Sequence, residues 1–262
     1  MTPATIDGPT RRLPRWDGVL AVVAHPDDES FGLGAVLAAF VDAGARVAVL
    51  CLTHGELSTV HGVEGDLYRV RAEELGAAAA AVVVTTTTLL HHADGALASA
   101  CRAQLAGEVV DAARDTRPDG VLVFDPSGVT GHPDHTAATA AALAAADILD
   151  LPVLGWTLPI DVAVALNAER GTTFFGHKPD EIDYVITVDR DRQRAAIAAH
   201  TSQAMASSVV WRRLQSLGNT EYLRRLRAPL ADRNNYPSGT VNPIPTGVSV
   251  QAEVSKQWRP ST

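Results

Sequence analysis

The chain has 262 residues, 46 % of them hydrophobic and 20 % charged, with a formal charge of −8 at pH 7. A chain of this length buries a sizeable core without disulfides or a structural metal, no apolar run is long enough to cross a bilayer, and no basic-then-apolar start marks a secretion signal, so a cytoplasmic protein without membrane partners is expected. The negative balance disfavours a general phosphate-binding surface, and the local basic stretch Arg212, Arg213, Arg224, Arg225 and Arg227 is read as one solvated helix face rather than a nucleic-acid site.

In chain order, "GVLAVVAH" (18–25) is a short buried strand, and the segment from Glu29 to Val41, stopped by Gly44, has helical length. "RVAVLCL" (46–52) is a strand, Tyr68 to Ala81 a helix, "VVVTTT" (82–87) a strand, Ala98 to Arg114 a helix and "GVLVFDP" (120–126) a strand. A helix starts near His132, and "LPVLGWTL", "DYVITVD" (183–189), a helix from about Arg190 and another from Trp211 to Leu226 follow. Strands apolar on both sides and separated by helices imply a mostly parallel sheet with helices on both faces, a doubly wound α/β fold. No internal repeat or linker is visible. One domain over 1–262 is therefore expected, with 1–16 an extension and the proline-bearing 234–262 an extended covering segment. Cys51 and Cys101 are too few for a disulfide framework or a thiolate cage, and both are read as buried free thiols.

In such sheets the chemistry gathers beyond the carboxyl ends of the strands. "VVAHPDDESFG" (22–32) and "VFDPSGVTGHPDH" (123–135) both place histidines and acids there. No dinucleotide fingerprint or Walker sequence occurs, which argues against NAD and ATP, and no G-x-S-x-G elbow supplies a serine nucleophile. Metal chemistry remains. A catalytic zinc site takes three ligands of the histidine and carboxylate kind and keeps one position open. His25 and Asp28 can reach one ion from a single turn, and "GHPDH" offers His132 and His135 on one helix face. Spacing alone does not choose between those two histidines.

"AHPDDE" at 24–29 with "GHPDH" at 131–135 resembles the zinc-dependent N-deacetylases of the LmbE or PIG-L type, which remove acetyl groups from N-acetylglucosaminyl compounds. "LTHGE" (52–56), "RAEEL" (71–75), "DG" (94–95), "RPDGVLVFDP" (117–126) and "AHTSQ" (199–203) follow in the family's order, so the resemblance covers most of residues 18 to 215. It implies a Rossmann-like fold, one Zn2+ per chain on His25, Asp28 and His135, and Asp27 as general base. It also implies that His132 steadies the oxyanion or protonates the leaving amine, with Asp134 tuning that histidine. Arg71 matches an arginine that contacts the sugar or its attached group, Glu56 is placed to orient it, and Asp94 is a candidate for a sugar hydroxyl. Where some members carry tyrosine, this chain has Thr130, and "LLHHADG" departs from the apolar residues common before the family's "DG".

Blander readings stand beside these. His54, His61, His91, His92 and His177 read singly as surface or loop residues, His200 as packing or as support for the site, and Arg71 equally as an ion pair with Glu73 or Glu74 on a helix surface. Three functions compete: a deacetylase acting on a small N-acetylated amino sugar or conjugate, an amidase of the same mechanism on another acyl amide, and a metal-binding protein without turnover. Substrate identity and oligomeric state, a homo-oligomer included, are left open.

Overall fold

A computed structural model describes residues 8–59, 66–205 and 208–230. Seven strands form one sheet in the order β3-β2-β1-β4-β5-β7-β6. The elements are β1 (Gly18–Val23), α1 (Asp28–Phe31), α2 (Gly34–Asp42), β2 (Arg46–Thr53), α3 (Leu67–Val82), β3 (Thr86–His92), α4 (Arg102–Thr116), β4 (Gly120–Phe124), α5 (Gly128–Gly131), α6 (Pro133–Leu149), β5 (Val153–Thr157), α7 (Ile160–Arg170), β6 (Tyr184–Thr187), α8 (Asp191–Ala199), α9 (Val209–Leu217) and β7 (Thr220–Arg227). β1 to β5 pair in parallel, while β7 runs antiparallel to both β5 and β6. The expected mostly parallel α/β sheet is what the chain forms.

β1 shows why its run is apolar throughout. Val19, Ala21 and Val23 join a core with α2, α3 and the Trp156 region, whereas Leu20, Val22 and Ala24 join a second core with α4 and α6. Because side chains alternate across a strand, a strand covered on both faces has no polar face to show. The chain winds outward from β1 through β2 to β3, then returns to lay β4 on the other side of β1. The strand order therefore reverses between β1 and β4, the place where such sheets open a crevice at their carboxyl ends.

Several expectations are corrected. The helix expected from Trp211 to Leu226 stops at Leu217: Gly218 takes φ 56, and Thr220–Arg227 becomes β7. The basic stretch is accordingly no single helix face. Arg213 is buried on α9, Arg227 is buried on β7 beside Asp147 and Asp150, and Arg212 makes an exposed ion pair with Glu169. The strand expected at 82–87 begins at Thr86, because α3 continues to Val82 and is capped by Val83 in the left-handed region. The expected helix from Glu29 to Val41 is broken at Gly32–Leu33 into α1 and α2. Cys51 is buried but Cys101 is exposed, at the start of α4. The expected extension is part of the fold where it is described: Thr10 bridges to Tyr184 and Trp16 stacks on Phe40. The covering segment 234–262 and His61 lie outside the described residues. Among the described residues no helix is long and apolar enough to cross a membrane.

Candidate active site

Beyond β1 the chain turns at once. Asp27 has φ 125, a conformation L-residues rarely hold, and buried partners fix it there. Its amide donates to Glu29 Oε2 at 2.9 Å, and its carbonyl accepts from Ser30 and Phe31. Asp28 turns inward, where its Oδ2 accepts from the His25 amide at 2.9 Å. Glu29 is buried and paired with His200 at 2.7 Å, so the histidine read as either packing or support is the partner that keeps this carboxylate charged. The strained turn is what sends two adjacent acids, Asp27 and Asp28, to different surroundings.

Beyond β4 the backbone carries three consecutive or near-consecutive left-handed residues, Gly128, Val129 and Gly131, with φ of 70, 65 and 77. For valine this is an outlier. His132 then caps α6: its Nδ1 accepts from the Asp134 amide at 3.2 Å. A neutral His132 consequently carries its proton on Nε2. Burial, with His135 and His25 nearby, lowers its pKa and favours that neutral form. His135 is fixed the opposite way, because its Nδ1 lies 3.1 Å from the Gly128 carbonyl and must donate to it, so that in the neutral ring Nε2 carries the lone pair.

The two segments meet. His25, His132 and His135 place ring nitrogens within 4.8 Å of one another, as do His25, Asp94 and Asp134 through their ligand atoms. His135 Nε2 is 3.1 Å from Asp28 Oδ1, and His25 Nδ1 is 3.5 Å from Asp28 Oδ2. Burial opposes charge on His135, but Asp28 raises its pKa, so a proton on Nε2 or a metal ion in its place satisfies this contact. His25 Nε2 is buried without a hydrogen bond, although Asp94 Oδ1 and Asp134 Oδ2 lie 3.1 and 3.4 Å away. Burial alone would lower the His25 pKa, but Asp134, Asp28 and Asp94 push it up to about 12. These converging ring nitrogens and carboxylates form a donor set that fits a divalent metal.

The remaining named residues are placed as follows. Asp134 directs its carboxylate to the amides of Gly95 and Leu97 and toward His25, and meets His132 only through its own amide. Arg71 is buried, not on the helix surface with Glu73 or Glu74. It binds Asp27 Oδ2 at 2.9 Å, the Gly55 carbonyl at 2.6 Å and the Pro26 carbonyl. Glu56 accepts from the Asp94 amide at 3.0 Å and makes no contact that orients Arg71, whose neighbour in that loop is Gly55. Asp94 accepts from the Leu57 amide at 2.8 Å. Arg71, Asp94, Thr130 and the histidines line a cavity of about 510 Å³.

Among the described residues the other histidines lie outside the cavity lining. His54 is buried against Tyr68, with His91 3.0 Å from its Nε2, and His92 pairs with Glu108. His177 lies 3.1 Å from Asp125 Oδ1, whose other oxygen binds Arg224. The cavity residues that the sequence reading missed include Gln203, Phe31, Phe124, Phe174 and Arg213. Asp125 and Gln203 fall inside motifs already singled out, which was the signal available for them.

Residues 20–146 match the family model described as PIG-L: GlcNAc-PI de-N-acetylase. The 1D-myo-inositol 2-acetamido-2-deoxy-alpha-D-glucopyranoside deacetylase of Mycobacterium avium is 31 % identical over 272 residues, covering 83 % of this chain and 88 % of the relative. Its namesake from Kineococcus radiotolerans is 32 % identical over 165 residues, a match that spans 51 % of this chain and 46 % of that relative. Among solved structures, N,N'-diacetylchitobiose deacetylase from Pyrococcus horikoshii superposes with a TM-score of 0.60 at 20 % identity, covering 84 % of this chain and 89 % of that one. The 4-carboxy-2-hydroxymuconate hydratase from Pseudomonas putida does so with a TM-score of 0.58 at 19 % identity, covering 82 % and 98 %. A deacetylase and a hydratase share this architecture, so at such identities the likeness speaks for the fold alone. The extended match to the relative from Mycobacterium avium, with the motifs at the ends of β1 and β4, places the chain in the PIG-L (LmbE-like) family.

Proposed function

We propose that the chain is a zinc-dependent N-deacetylase that hydrolyses the acetamide of a small N-acetylglucosaminyl-type compound to free amine and acetate. One Zn2+ per chain would be held by His25, Asp28 and His135. The names of the relatives support the substrate class, and two histidines that both face Asp28 make a nitrogen and oxygen donor set that suits zinc. When bound, such an ion lowers the pKa of water and polarises a carbonyl oxygen.

The observation that carries the reading is the division of labour between neighbouring acids. Asp28 faces His25 and His135, while Asp27 is turned away to Arg71 and lines the cavity. Burial raises the Asp27 pKa to about 6 although Arg71 opposes it, which suits a general base working near neutral pH. Asp27 takes the proton of the attacking water. Arg71 holds it and, on the cavity wall, can meet a sugar hydroxyl, as can Asp94 and, through it, Glu56. His132, neutral and protonated on Nε2, donates a hydrogen bond to the oxygen that gains charge as the carbonyl becomes tetrahedral. Asp134 fixes His25 and the start of α6. The test is amine release from a panel of N-acetylated amino sugars, with other N-acyl amides alongside. Release dependent on added Zn2+ and absent with a chelator is expected, and a protein that retains the metal yet releases no amine from any member would end the proposal.

A further inference from the structure

Two guanidinium groups line the cavity, and their surroundings differ. Arg71 is neutralised by Asp27 and bonded to two backbone carbonyls. Arg213, on α9, is only 6 % exposed, and among the described residues no carboxylate lies within ion-pair distance of it. Its hydrogen bond goes to the Phe31 carbonyl, its Nε has no partner, and its carbon centre sits 5.0 Å from the Trp156 ring centroid. Glu221, the acid of that corner, is already taken: it accepts from Arg190 at 2.6 Å and from the Trp156 indole at 2.7 Å. Glu221 still acts on Arg213 at longer range, and Asp28 and Asp27 do so less, but each is engaged elsewhere, with Arg190, His135 and Arg71. Burial holds the Arg213 pKa down to about 10, which still leaves it charged at neutral pH.

A buried cation without a counter-ion is costly, and this one faces the space where a substrate enters. The adjoining wall is apolar, made of Phe31, Phe124, Val129 and Phe174. An anion lodged there loses water on its flanks, and a guanidinium–oxyanion pair is strongest in such surroundings. We propose that Arg213 anchors an oxyanion carried by the substrate, a carboxylate or a phosphate set apart from the acetamide. The preferred substrate is then an acidic N-acetylated compound rather than a neutral one. The inference rests on the deacetylase reading for its turnover arm and stands independently in its binding arm.

The experiment compares N-acetylglucosamine with its 1-phosphate, its 6-phosphate and N-acetylmuramic acid, by kcat/KM in the zinc-loaded protein and by calorimetric binding to the zinc-free protein, which keeps Asp27 on Arg71. At least one acidic member should exceed the neutral sugar by about tenfold or more, and which arm does so separates phosphate from carboxylate. In Arg213→Gln that ratio should collapse toward one. Arg213→Lys and Arg213→Met accompany it, and each variant that keeps native circular dichroism must show a reduced preference. Acidic and neutral sugars within twofold of each other in both assays, or a preference undiminished in any folded variant, overturns the inference. No amine release combined with a binding preference that Arg213→Gln removes would instead sink the deacetylase reading and leave this one standing.

Discussion

The two segments that build the site end neighbouring strands, yet they are held by different means. Residues 25–29 depend on side chains distant in sequence: Arg71 grips Asp27 and the Pro26 carbonyl, and His200 neutralises Glu29. Residues 127–135 depend on their own backbone, through the left-handed positions at Gly128, Val129 and Gly131 and the cap that His132 provides. The contrast has a chemical consequence. Buried partners from elsewhere decide what each acid does, whereas local amides and carbonyls decide which nitrogen of each histidine carries a proton.

The largest effects fall where the segments touch. His25→Ala should abolish metal retention, read as zinc stoichiometry after gel filtration, since it removes the one residue common to both groups of converging ligand atoms. Asp27→Asn should keep the metal and lose about 10²–10⁴-fold in kcat, the span of a general base. Loss of zinc in that variant would show that both acids of the first segment serve the ion and would erase the division between them.

Next comes the remote support of the first segment. His200→Ala leaves Glu29 buried without its partner, and breaking a buried pair costs about 3–5 kcal/mol, measurable by denaturant unfolding. Burial by itself would lower the His200 pKa, but Glu29 raises it above the usual 6.5. Its stabilisation is therefore full below about pH 6.5 and declines as pH rises through the raised folded value. The variant should lack that alkaline decline. A loss no larger than that of a surface substitution would mean the strained turn at Asp27 holds itself.

A remote tie of the second segment runs through Asp125, whose Oδ1 accepts from the Ser127 amide while Arg224 and His177 face its carboxylate. Burial opposes ionisation there, but His177 and the Arg224 contact bring the pKa from 3.8 down to about 2. A depressed carboxylate stabilises above its unfolded pKa, so the contribution, about 2 kcal/mol, is present above about pH 4 and fades as pH falls toward 2. Asp125→Asn should remove it and flatten the acid limb of the stability profile.

Much of this was legible in the residues themselves, and the failures share a cause. The apolar runs of β1, β2 and β4 and the two histidine–acid motifs mark the sheet and its reactive edge because both are written in short stretches. β7 was misread because Trp211, Leu214 and Leu217 set a helical spacing that Leu223 and Leu226 continue by chance. The break is only Gly218–Asn219, and the buried Glu221 and Arg227 look solvated until Arg190, Asp147 and Asp150 come beside them. The surface reading of His54 and the ion-pair alternative for Arg71 failed for the same reason. Which polar residue is buried depends on a partner far along the chain, and spacing carries no record of it.

The smallest effect tests the local half of the contrast. Gly131 holds φ 77 just before His132, and a Cβ there would stand 3.3 Å from Phe175. Alanine in the left-handed region costs about 1–2 kcal/mol, and Gly131→Ala should lower stability by about that amount in denaturant unfolding, because Phe175 is exposed and can give way. The metal should stay bound, since the Gly128 carbonyl that fixes His135 precedes the substituted position. If the glycine can be replaced at no cost, then the backbone does not position the histidines, and the burden shifts to the α6 cap and the Asp125 tie.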